Sequence, residues 1–390
     1  MTAPQMSAPQ MSASPLDSYT LRPATLLGEA SSACQLRCPS CPTAQGQLKN
    51  TVGTGMLAPA DLDRLLSDNP FVKHVELSNW GEIFLNPKFV EILALCSARG
   101  VSVGANNGVN LNTASAEMLE AVVRYGVRAV RVSLDGATQE SYRKYRVKGN
   151  FDTVITNVCR INAYKKLYQS QFPELTWQFV AFGHNQDEIP AAKQLADSLG
   201  MRFDLKLSWD DKLSPLRDTA ALRAAMPGGA ISRADYRDAS GTQYLSGICN
   251  QLWDAPQINW DGRNLGCCRN IWGDFGGNAF RDGLIPTLNH DRMHYARAML
   301  RGQVASRPDI PCTRCEHYRQ MQQTGRYLVR DNISSGQILS IEEALAMAKL
   351  WLGQGLADKA AHICTLVLAT APNNPAAEAL LAQAGLSATA

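Results

Sequence analysis

Short apolar runs alternate with longer amphipathic stretches between about residues 24 and 210. The apolar runs have the length of buried strands, and the stretches between them carry apolar residues at helical spacing. The predicted strands are 24–28, 72–77, 101–105, 129–134, 176–182 and 203–207. The predicted helices between them include 60–67, 87–99, 114–125, 151–168 and 188–199. This alternation predicts an α/β fold in which six strand–helix units form a parallel sheet wrapped by helices.

Composition and charge narrow the class of protein. A chain of 390 residues with 45% hydrophobic and 19% charged residues is typical of a globular protein with two or three domains. A net charge of +3 gives no argument for nucleic acid. No apolar run approaches the roughly 18–20 residues of a membrane span, and the N-terminus lacks the features of a signal peptide. We therefore expect no nucleic-acid partner, no membrane and a disordered tail over residues 1–20.

The chain contains eleven cysteines, and their distribution predicts metal ligands more than disulfides. Eight of them fall into two clustered sets. The other three, Cys96, Cys159 and Cys364, lie in apolar helical patterns and are predicted to be buried packing residues. We therefore expect a reducing, cytoplasmic location.

The first set is Cys34, Cys38 and Cys41, directly after the first predicted strand. Three thiolates are one ligand short of a closed structural zinc site and of an ordinary iron–sulfur cluster. Such a site keeps an open metal position. In barrel-like α/β folds functional residues follow the carboxyl ends of strands, so the segments after the other strands become candidates too.

This cysteine spacing resembles the signature of radical S-adenosylmethionine (SAM) enzymes. In that family the three thiolates hold a [4Fe–4S] cluster, and the amino and carboxylate groups of SAM chelate the fourth iron. The resemblance implies a partial (β/α)6 barrel and reductive cleavage of SAM to a 5′-deoxyadenosyl radical that abstracts hydrogen. The spacing alone indicates a metal site with an open position.

The segment after the second strand resembles the family's Gly-Gly-Glu-Pro motif. Here Asn79 and Trp80 precede Gly81 and Glu82, and Ile83 replaces the proline. The resemblance implies that Asn79, Gly81 and Glu82 bind SAM, with Glu82 accepting from its ammonium. An ordinary turn with a surface glutamate is the alternative.

After the third strand, Asn107 and Gly108 match the Asn-Gly of the family's Thr-Asn-Gly loop, with Asn106 in place of the threonine. The resemblance implies that Asn107 contacts SAM. A plain turn explains an Asn-Gly pair equally well.

The fourth strand ends in Val132-Ser-Leu-Asp-Gly136, and the following segment matches a radical SAM subgroup that carries further clusters. In that subgroup a serine and a later arginine hold the SAM carboxylate, which implies Ser133 and Arg146 here. A guanidinium suits a carboxylate because it donates two parallel hydrogen bonds. Arg143 is the rival arginine. Asp135 is included among the SAM-binding residues, with stabilisation of the loop as its alternative role.

The last two strands are expected to bring polar side chains to the mouth of the barrel. Lys206, Asp210 and Asp211 are the candidate catalytic residues, and His184 and Trp209 are further candidates for substrate contact. The alternative for each is a structural residue on the rim.

The second cysteine set is Cys249, Cys267-Cys268, Cys312 and Cys315. An Asp-Gly turn within 257–263 predicts a β-hairpin before the Cys-Cys pair. The set resembles the auxiliary-cluster domains called SPASM and twitch, and the spacing of 18, 45 and 3 is similar to that of twitch-type aminocyclitol dehydrogenases. The resemblance implies one auxiliary [4Fe–4S] cluster whose ligands are Cys249, Cys267, Cys312 and Cys315, with Cys268 as the spare thiol. A four-cysteine zinc site is the alternative.

Beyond residue 326 the chain becomes alanine-rich, and 341–352, 356–368 and 376–384 are predicted helices. They resemble one tetratricopeptide-type (TPR-like) hairpin and the start of a second, which is too short for a solenoid. This extension either packs on the core or a twin subunit, or binds a protein partner. The predicted organisation is a tail (1–20), a radical SAM partial barrel (21–212), a small α+β auxiliary domain (213–325) and the helical extension (326–390).

The combination of motifs favours oxidation of a small polar substrate, such as a sugar or cyclitol alcohol. An auxiliary cluster offers a place for the electron that must leave the substrate, and a flavodoxin or ferredoxin-type protein is the expected electron donor. Epimerisation and peptide modification are the alternatives within the family. A non-enzymatic iron–sulfur or zinc scaffold is the alternative outside it.

Overall fold

The computed structural model describes residues 20–329, 338–339 and 341–385, so all but the last residue of the expected N-terminal tail lies outside the described residues. The strands are β1 Thr20–Leu21, β2 Thr25–Leu27, β3 His74–Glu76, β4 Ser102–Val109, β5 Ala129–Ser133, β6 Glu174–Ala181, β7 Arg202–Leu207, β8 Gln257–Ile258, β9 Asn264–Gly266 and β10 Ile338–Leu339. The helices are α1 Pro59–Asp68, α2 Phe89–Ala98, α3 Ala116–Arg124, α4 Gln139–Tyr145, α5 Phe151–Leu167, α6 Ile189–Ser198, α7 Ala220–Ala225, α8 Arg233–Ser240, α9 Gln251–Asp254, α10 Leu284–Leu288, α11 Asp291–Leu300, α12 Glu316–Thr324, α13 Ile341–Gly353, α14 Ala357–Thr370 and α15 Pro375–Gln383. None of the described helices is long and apolar enough to cross a membrane.

The main sheet has eight strands in the order β7-β6-β5-β4-β3-β2-β8-β9. Strands β2 to β7 are parallel and follow one another in chain order. The sheet does not close on itself. This confirms the predicted α/β class and partial barrel, because each parallel neighbour is reached by a helical crossover over the outer face.

Alternation along the strands separates the packed face from the inner face of the barrel. In β5 and β6 the outward residues Val130, Val132 and Trp177 belong to the main hydrophobic core beneath the helices. The intervening positions carry polar groups such as Ser133 and Gln178, which hydrogen-bond to each other at 3.4 Å. The barrel therefore has an apolar outer layer and a polar inner face.

The strands β8 and β9 form the predicted hairpin, with Gly262 at φ +86° in its turn. The hairpin also extends the barrel sheet, because β8 pairs in parallel with β2 through Leu27 and Gln257. The Leu27 N–H donates to Pro256 O at 3.1 Å. This connection was not predicted, and it attaches the second cysteine region directly to the edge of the barrel.

The segment from Ser214 to Ser246, whose Arg, Ala and Gly content predicts a loop, contains the two short helices α7 and α8. Each has a side-chain N-cap: the hydroxyl of Thr219 accepts from Leu222 N–H, and that of Ser232 accepts from Asp235 N–H. Such caps satisfy donors that a short helix cannot satisfy internally. The loop prediction was therefore wrong for this segment.

The helices α13, α14 and α15 pack on the rest of the chain. Trp351 of α13 and Ile363 of α14 share a buried cluster with Ile285 of α10. The Lys359 ammonium pairs with the Asp68 carboxylate at 2.9 Å, and both side chains are largely buried. The extension thus takes the first of its two expected arrangements, packing on the core.

One cysteine prediction was wrong. Cys96 and Cys364 are buried as expected, but Cys159 is exposed. The buried face of α5 includes Val154, Val158 and Ile161. Cys159 is exposed because it follows Val158 directly and so lies about 100° further around the helix.

Candidate functional site

The first cysteine set lies at the carboxyl end of β2. Cys38 is 5% exposed and shares a hydrophobic cluster with Tyr145 and Phe182, against which Cys34 and Cys41 pack. The loop is closed by a hydrogen bond of 3.1 Å from Cys41 N–H to Cys38 O. The three cysteines therefore lie beside a common apolar cluster, with Cys38 buried and Cys34 and Cys41 half-buried.

Burial favours the protonated form of two of these thiols, those of Cys34 and Cys38. It raises the pKa of Cys34 to about 12 and raises the pKa of Cys38 above its usual value. Two polar side chains reach the sulfurs: Asn110 Nδ2 lies 3.8 Å from Cys34 Sγ, and Arg146 Nη1 lies 3.8 Å from Cys38 Sγ. Thiols in such surroundings become thiolates when a metal supplies the compensating positive charge.

Asp210, a candidate catalytic residue, makes its hydrogen bonds to the cysteine loop and within its own loop. Its Oδ2 accepts from the hydroxyl of Ser40, within the cysteine loop, at 2.6 Å. Its Oδ1 accepts from the backbone N–H groups of Lys212 and Leu213 at 3.2 Å each. The Ser40 bond is the main reason that the pKa of Asp210 is lowered. Asp210 therefore holds the cysteine loop against the end of β7.

The other rim candidates differ from one another in exposure and contacts. Asp211 is exposed, and Trp209 is 46% exposed. The His184 ring stacks on Phe182 at 5.4 Å, its Nδ1 lies 3.1 Å from Ser214 Oγ, and its Nε2 is buried without a hydrogen-bond partner among the described residues. These positions give Asp211 and Trp209 no contact that supports catalysis, whereas His184 lies beside the apolar wall of the cysteine pocket.

Gly81 and Glu82 lie directly against the chain that leads to Cys34. A Cβ on Gly81 would lie 2.1 Å from Ser31 O, so only glycine permits this approach. Glu82 is 1% exposed, and its carboxylate accepts from Asn110 N–H at 2.6 Å and Phe84 N–H at 3.4 Å. Burial raises its pKa to about 7. This buried carboxylate can accept a hydrogen bond from an ammonium, and the charge of Arg146 acts on it from nearby.

Sequence reasoning missed Glu29, a 1% exposed carboxylate that shapes the same loop. Its Oε2 accepts from Trp80 N–H at 3.0 Å, and its Oε1 accepts from Gly81 N–H at 3.1 Å. Burial raises its pKa to about 8, against the opposing effect of these two hydrogen bonds. A glutamate within an otherwise apolar stretch was its single signal in the sequence.

Asn107 and Ser133 occupy adjacent strands of the barrel. The expected Asn-Gly loop is part of β4, which runs to Val109 with an irregularity in its pairing to β5. The side chain of Asn107 is exposed, and its Nδ2 donates to Ser78 O at 2.9 Å. Gly108 has φ +114°, and a Cβ there would lie 2.6 Å from Ser133 Oγ, so glycine lets β4 approach the serine. These groups line one side of the inner face.

Asp135 and Arg146 form a buried ion pair. The Arg146 Nε donates to Asp135 Oδ2 at 2.6 Å, while Asp135 Oδ1 accepts from Val180 N–H at 2.8 Å. Asp135 is fully buried, and its carboxylate orients Arg146. Arg143 is exposed, and the arginine that points at the cysteine set is Arg146.

Lys206 lies on the inner face of β7 among polar groups of neighbouring strands. Its Nζ donates to Gln178 Oε1 at 2.7 Å and lies 3.8 Å from Asp204 Oδ2. Asp204 also pairs with Arg131. Burial and the charge of Arg131 lower the pKa of Lys206 to about 8. With this pKa about one tenth of Lys206 is neutral at pH 7, and the neutral form is the one that can accept a proton.

The second cysteine set converges on one cavity in the region after β7. Its lining includes Cys249, Cys267, Cys312 and Cys315 together with Phe275 and Tyr318. Burial, followed by the neighbouring thiols, raises the pKa of Cys267 and Cys312 well above the usual value, and burial raises that of Cys249 to about 12. Four convergent thiols in apolar surroundings form a suitable donor set for a four-thiolate metal group.

Cys268 is not among the residues that line this cavity. Its N–H donates to Gln251 Oε1 at 2.9 Å, and its carbonyl accepts from Asn79 Nδ2 at 3.2 Å. Asn79 belongs to the loop that ends in Gly81 and Glu82. One peptide segment therefore joins the second cysteine set to the mouth of the barrel.

The residues at both sites fit iron–sulfur groups by the chemistry of their donors. No group of three or more His, Cys, Asp and Glu within the described ranges is placed to hold a single metal ion. A [4Fe–4S] cluster binds each thiolate at a different iron, which spreads the ligands more widely than one ion does. At the first site Glu82 and Arg146 add an acceptor for an ammonium and a donor for a carboxylate, the two groups of an amino acid.

Comparisons with known proteins agree with this geometry. Residues 29–190 match the family model of the Radical SAM superfamily. The SuiB structure of Streptococcus suis bound to S-adenosylmethionine is similar to the chain with 14% sequence identity, a TM-score of 0.52, and coverage of 76% of this chain and 71% of SuiB. SuiB bound to the precursor peptide SuiA gives 14% identity, a TM-score of 0.51, and coverage of 76% and 70%. BtrN in complex with AdoMet and 2-DOIA gives 15% identity, a TM-score of 0.42, and coverage of 72% and 90%. The comparison with curated proteins gave no match.

The fold, the cysteine loop and the family match together define the class of domain: residues 29–190 match a radical SAM domain. Enzymes of that family depend on SAM and use a [4Fe–4S] cluster.

Proposed function

We propose that this protein is a radical SAM oxidoreductase that converts an alcohol of a small polar substrate, of the sugar or cyclitol type, to a ketone. The observation that carries the proposal is the convergence of Cys249, Cys267, Cys312 and Cys315 on one cavity beside the barrel. Removing two electrons from an alcohol requires a place for the second electron after the first hydrogen has left. A second iron–sulfur centre held by these four thiolates would provide it.

The first centre would be held by Cys34, Cys38 and Cys41. Asn79, Gly81, Glu82, Asn107, Ser133 and Arg146 would surround SAM, with Asp135 as the positioning partner of Arg146. When bound, the cluster and SAM supply a radical that abstracts hydrogen from an unactivated carbon. The chain itself contributes a dry pocket, since Leu36, Tyr145 and Phe182 are buried against the cysteines.

The inner face of the barrel supports a substrate rich in hydroxyl groups. Ser133, Gln178 and Asp204 supply donors and acceptors there, and Lys206 Nζ is hydrogen-bonded among them. Lys206 would accept the hydroxyl proton of the alcohol, because the lowered pKa of its ammonium gives it a neutral fraction that a solvated lysine lacks. Asp210 and Asp211 have no catalytic role in this proposal.

The proposed organisation keeps the divisions at 21–212, 213–325 and 326–390 as barrel, twitch-like auxiliary domain and helical extension. A flavodoxin or ferredoxin-type donor would supply electrons to the first centre in a cytoplasmic setting. A peptide substrate, as in the SuiB structure with its precursor peptide, is the competing outcome that experiment must separate.

The test begins with anaerobic reconstitution and incubation with dithionite and SAM, followed by quantification of 5′-deoxyadenosine. The wild-type chain should contain about eight irons, as two [4Fe–4S] clusters require. Cys38→Ala should abolish cleavage of SAM. Cys315→Ala should retain some cleavage while losing product, and Cys159→Ala, at an exposed cysteine outside both sets, should match the wild type.

The substrate class is tested by deuterium transfer into 5′-deoxyadenosine from carbon-deuterated cyclitols, amino sugars and peptides. Transfer from a cyclitol or sugar, together with ketone formation, supports the proposal. Transfer from a peptide alone would replace it with peptide modification. An iron content of about four per chain accompanied by one zinc would refute the auxiliary cluster.

A further inference from the structure

Arg269 has a buried, unsatisfied donor on the cavity of the second cysteine set. It follows Cys267 by two residues and lines the same cavity as the four thiols. Its Nε is buried and has no hydrogen-bond partner within the described residues. At the outer end of the guanidinium, Nη2 lies 3.7 Å from the carboxylate of Glu316, which is 58% exposed. A buried donor without a partner lowers the stability of the fold by about 1–3 kcal/mol. An acceptor inside the cavity that bonded to this Nε–H would remove the penalty.

A second arginine makes the local charge more positive. Arg233 donates from Nε and Nη2 to Leu207 O at 3.4 and 3.3 Å, and its guanidinium lies 5.0 Å from the centre of the Tyr244 ring. Neither contact neutralises its charge. Burial and the charge of Arg269 lower the pKa of Arg233 to about 10. The two neighbouring guanidiniums of Arg233 and Arg269 are partly buried, so they need nearby negative charge to offset their desolvation and mutual repulsion.

Four thiolates supply that negative charge. An iron–sulfur cluster with four cysteine ligands is net anionic, and it becomes more anionic when reduced. Its sulfurs accept hydrogen bonds, and such bonds together with nearby charges set its reduction potential. One cluster in the cavity would therefore explain both the unsatisfied Nε of Arg269 and the excess of positive charge around Arg233 and Arg269.

We infer that Arg269 donates its Nε–H to the group held by Cys249, Cys267, Cys312 and Cys315 and, with the charge of Arg233 behind it, stabilises the reduced state of that group. The inference rests on the proposed auxiliary cluster. Arg269 does not touch the substrate in this inference. Its role is to set how readily the second centre takes up an electron. Because the cavity is poorly solvated, its charge acts with little screening.

The test measures the reduction potential of the second centre alone. In the full chain, Cys34→Ala, Cys38→Ala and Cys41→Ala together remove the first centre, and the reconstituted protein is titrated with dithionite and mediators under EPR detection. The variants Arg269→Met and Arg269→Lys are made in this background. Arg314→Met is the matched control, since Arg314 lies between two of the ligand cysteines but is exposed to solvent.

Arg269→Met is expected to shift the midpoint potential to more negative values and to change the EPR line shape. Arg269→Lys, which keeps the charge and loses the planar donor, should shift it by less, and Arg314→Met should leave it unchanged. If Arg269→Met loses the cluster, the comparison rests on Arg269→Lys. A potential unaltered in the Arg269 variants overturns the inference while the auxiliary cluster stands. A parent variant that binds no iron overturns both.

Discussion

Glu29 allows the electrostatic reasoning to be tested by measurement of stability alone. Its carboxylate is buried and accepts hydrogen bonds from the backbone of Trp80 and Gly81, and its pKa is raised to about 8. A carboxyl whose folded-state pKa lies above its unfolded-state pKa stabilises the protein at low pH. That stabilisation decreases as the pH rises through the folded-state value.

The substitution Glu29→Gln retains an acceptor for the two N–H groups and removes the titration. With pKa values of 4.5 in the unfolded state and about 8 in the folded state, the wild-type penalty grows by about 2.5 kcal/mol between pH 5 and pH 7. The variant lacks this penalty. Its free energy of unfolding, relative to the wild type, should therefore increase by about that amount over the same interval.

The assay is urea unfolding of the metal-free, fully reduced protein at pH 5, 6, 7 and 8, followed by circular dichroism. The difference between Glu29→Gln and wild type should widen with pH, whereas Glu117→Gln, at an exposed glutamate, should give a constant difference. Glu29→Ala should follow the slope of the glutamine variant but lie below it, because two backbone donors lose their acceptor. A difference between Glu29→Gln and wild type that does not change with pH would falsify the argument.

Three further predictions concern the SAM site and the barrel. Product formation should increase with pH to a plateau, with its midpoint near pH 8 where half of Lys206 has lost its proton, and Lys206→Met should remove product while exposed Lys212→Met does not; a flat profile contradicts the proton-acceptor role. Gly81→Ala, whose Cβ would lie 2.1 Å from Ser31 O, should destabilise the chain by about 1–3 kcal/mol in urea unfolding, whereas Gly247→Ala, with open space around it, should not. Asp135→Asn leaves the buried charge of Arg146 uncompensated, so it should lower the free energy of unfolding by about 3–5 kcal/mol and weaken SAM binding in equilibrium dialysis. The double variant that adds Arg146→Met should recover part of the stability but not the binding.

The periodic pattern was sufficient to predict the parallel barrel, because each strand buries one face under helices and each helix buries one stripe. The same pattern gave wrong predictions where contacts between distant segments determine the end of a strand or the exposure of a residue. The Asn-Gly pair was assigned to a loop, yet β4 continues through it, since the N–H groups of Asn106 and Asn107 donate to the side chains of Glu76, which ends β3, and of Ser78, two residues beyond it. In α5 the buried polar residue is Asn157, whose Nδ2 donates to Leu111 O at 2.8 Å, while Cys159 is exposed.

The same distinction holds for the candidate site: residues within local motifs were predictable, and contacts between distant segments were not. The cysteine sets and Arg146 were predictable because motif spacing carries them. Glu29 was missed because its partners Trp80 and Gly81 follow it by about fifty residues and are backbone groups, which leave no trace in side-chain patterns. The contact of Asp210 with Ser40, which lies 170 residues earlier in the chain, was not predictable from the sequence pattern either. Contacts between distant loops are fixed by the fold and not by local sequence.

The pairing of β8 with β2 has a consequence for how a substrate reaches the barrel. The hairpin is tied to the barrel edge by the hydrogen bond from Leu27 N–H to Pro256 O and by the one from Gln257 Nε2 to Gly28 O at 3.0 Å. Separating the two would break backbone pairing on that side. The opposite edge, β7, pairs with β6 on one side and has no strand partner on its other side among the described residues. An opening beside β7 therefore separates no paired strands, and we expect a substrate to enter the barrel there, past Lys206.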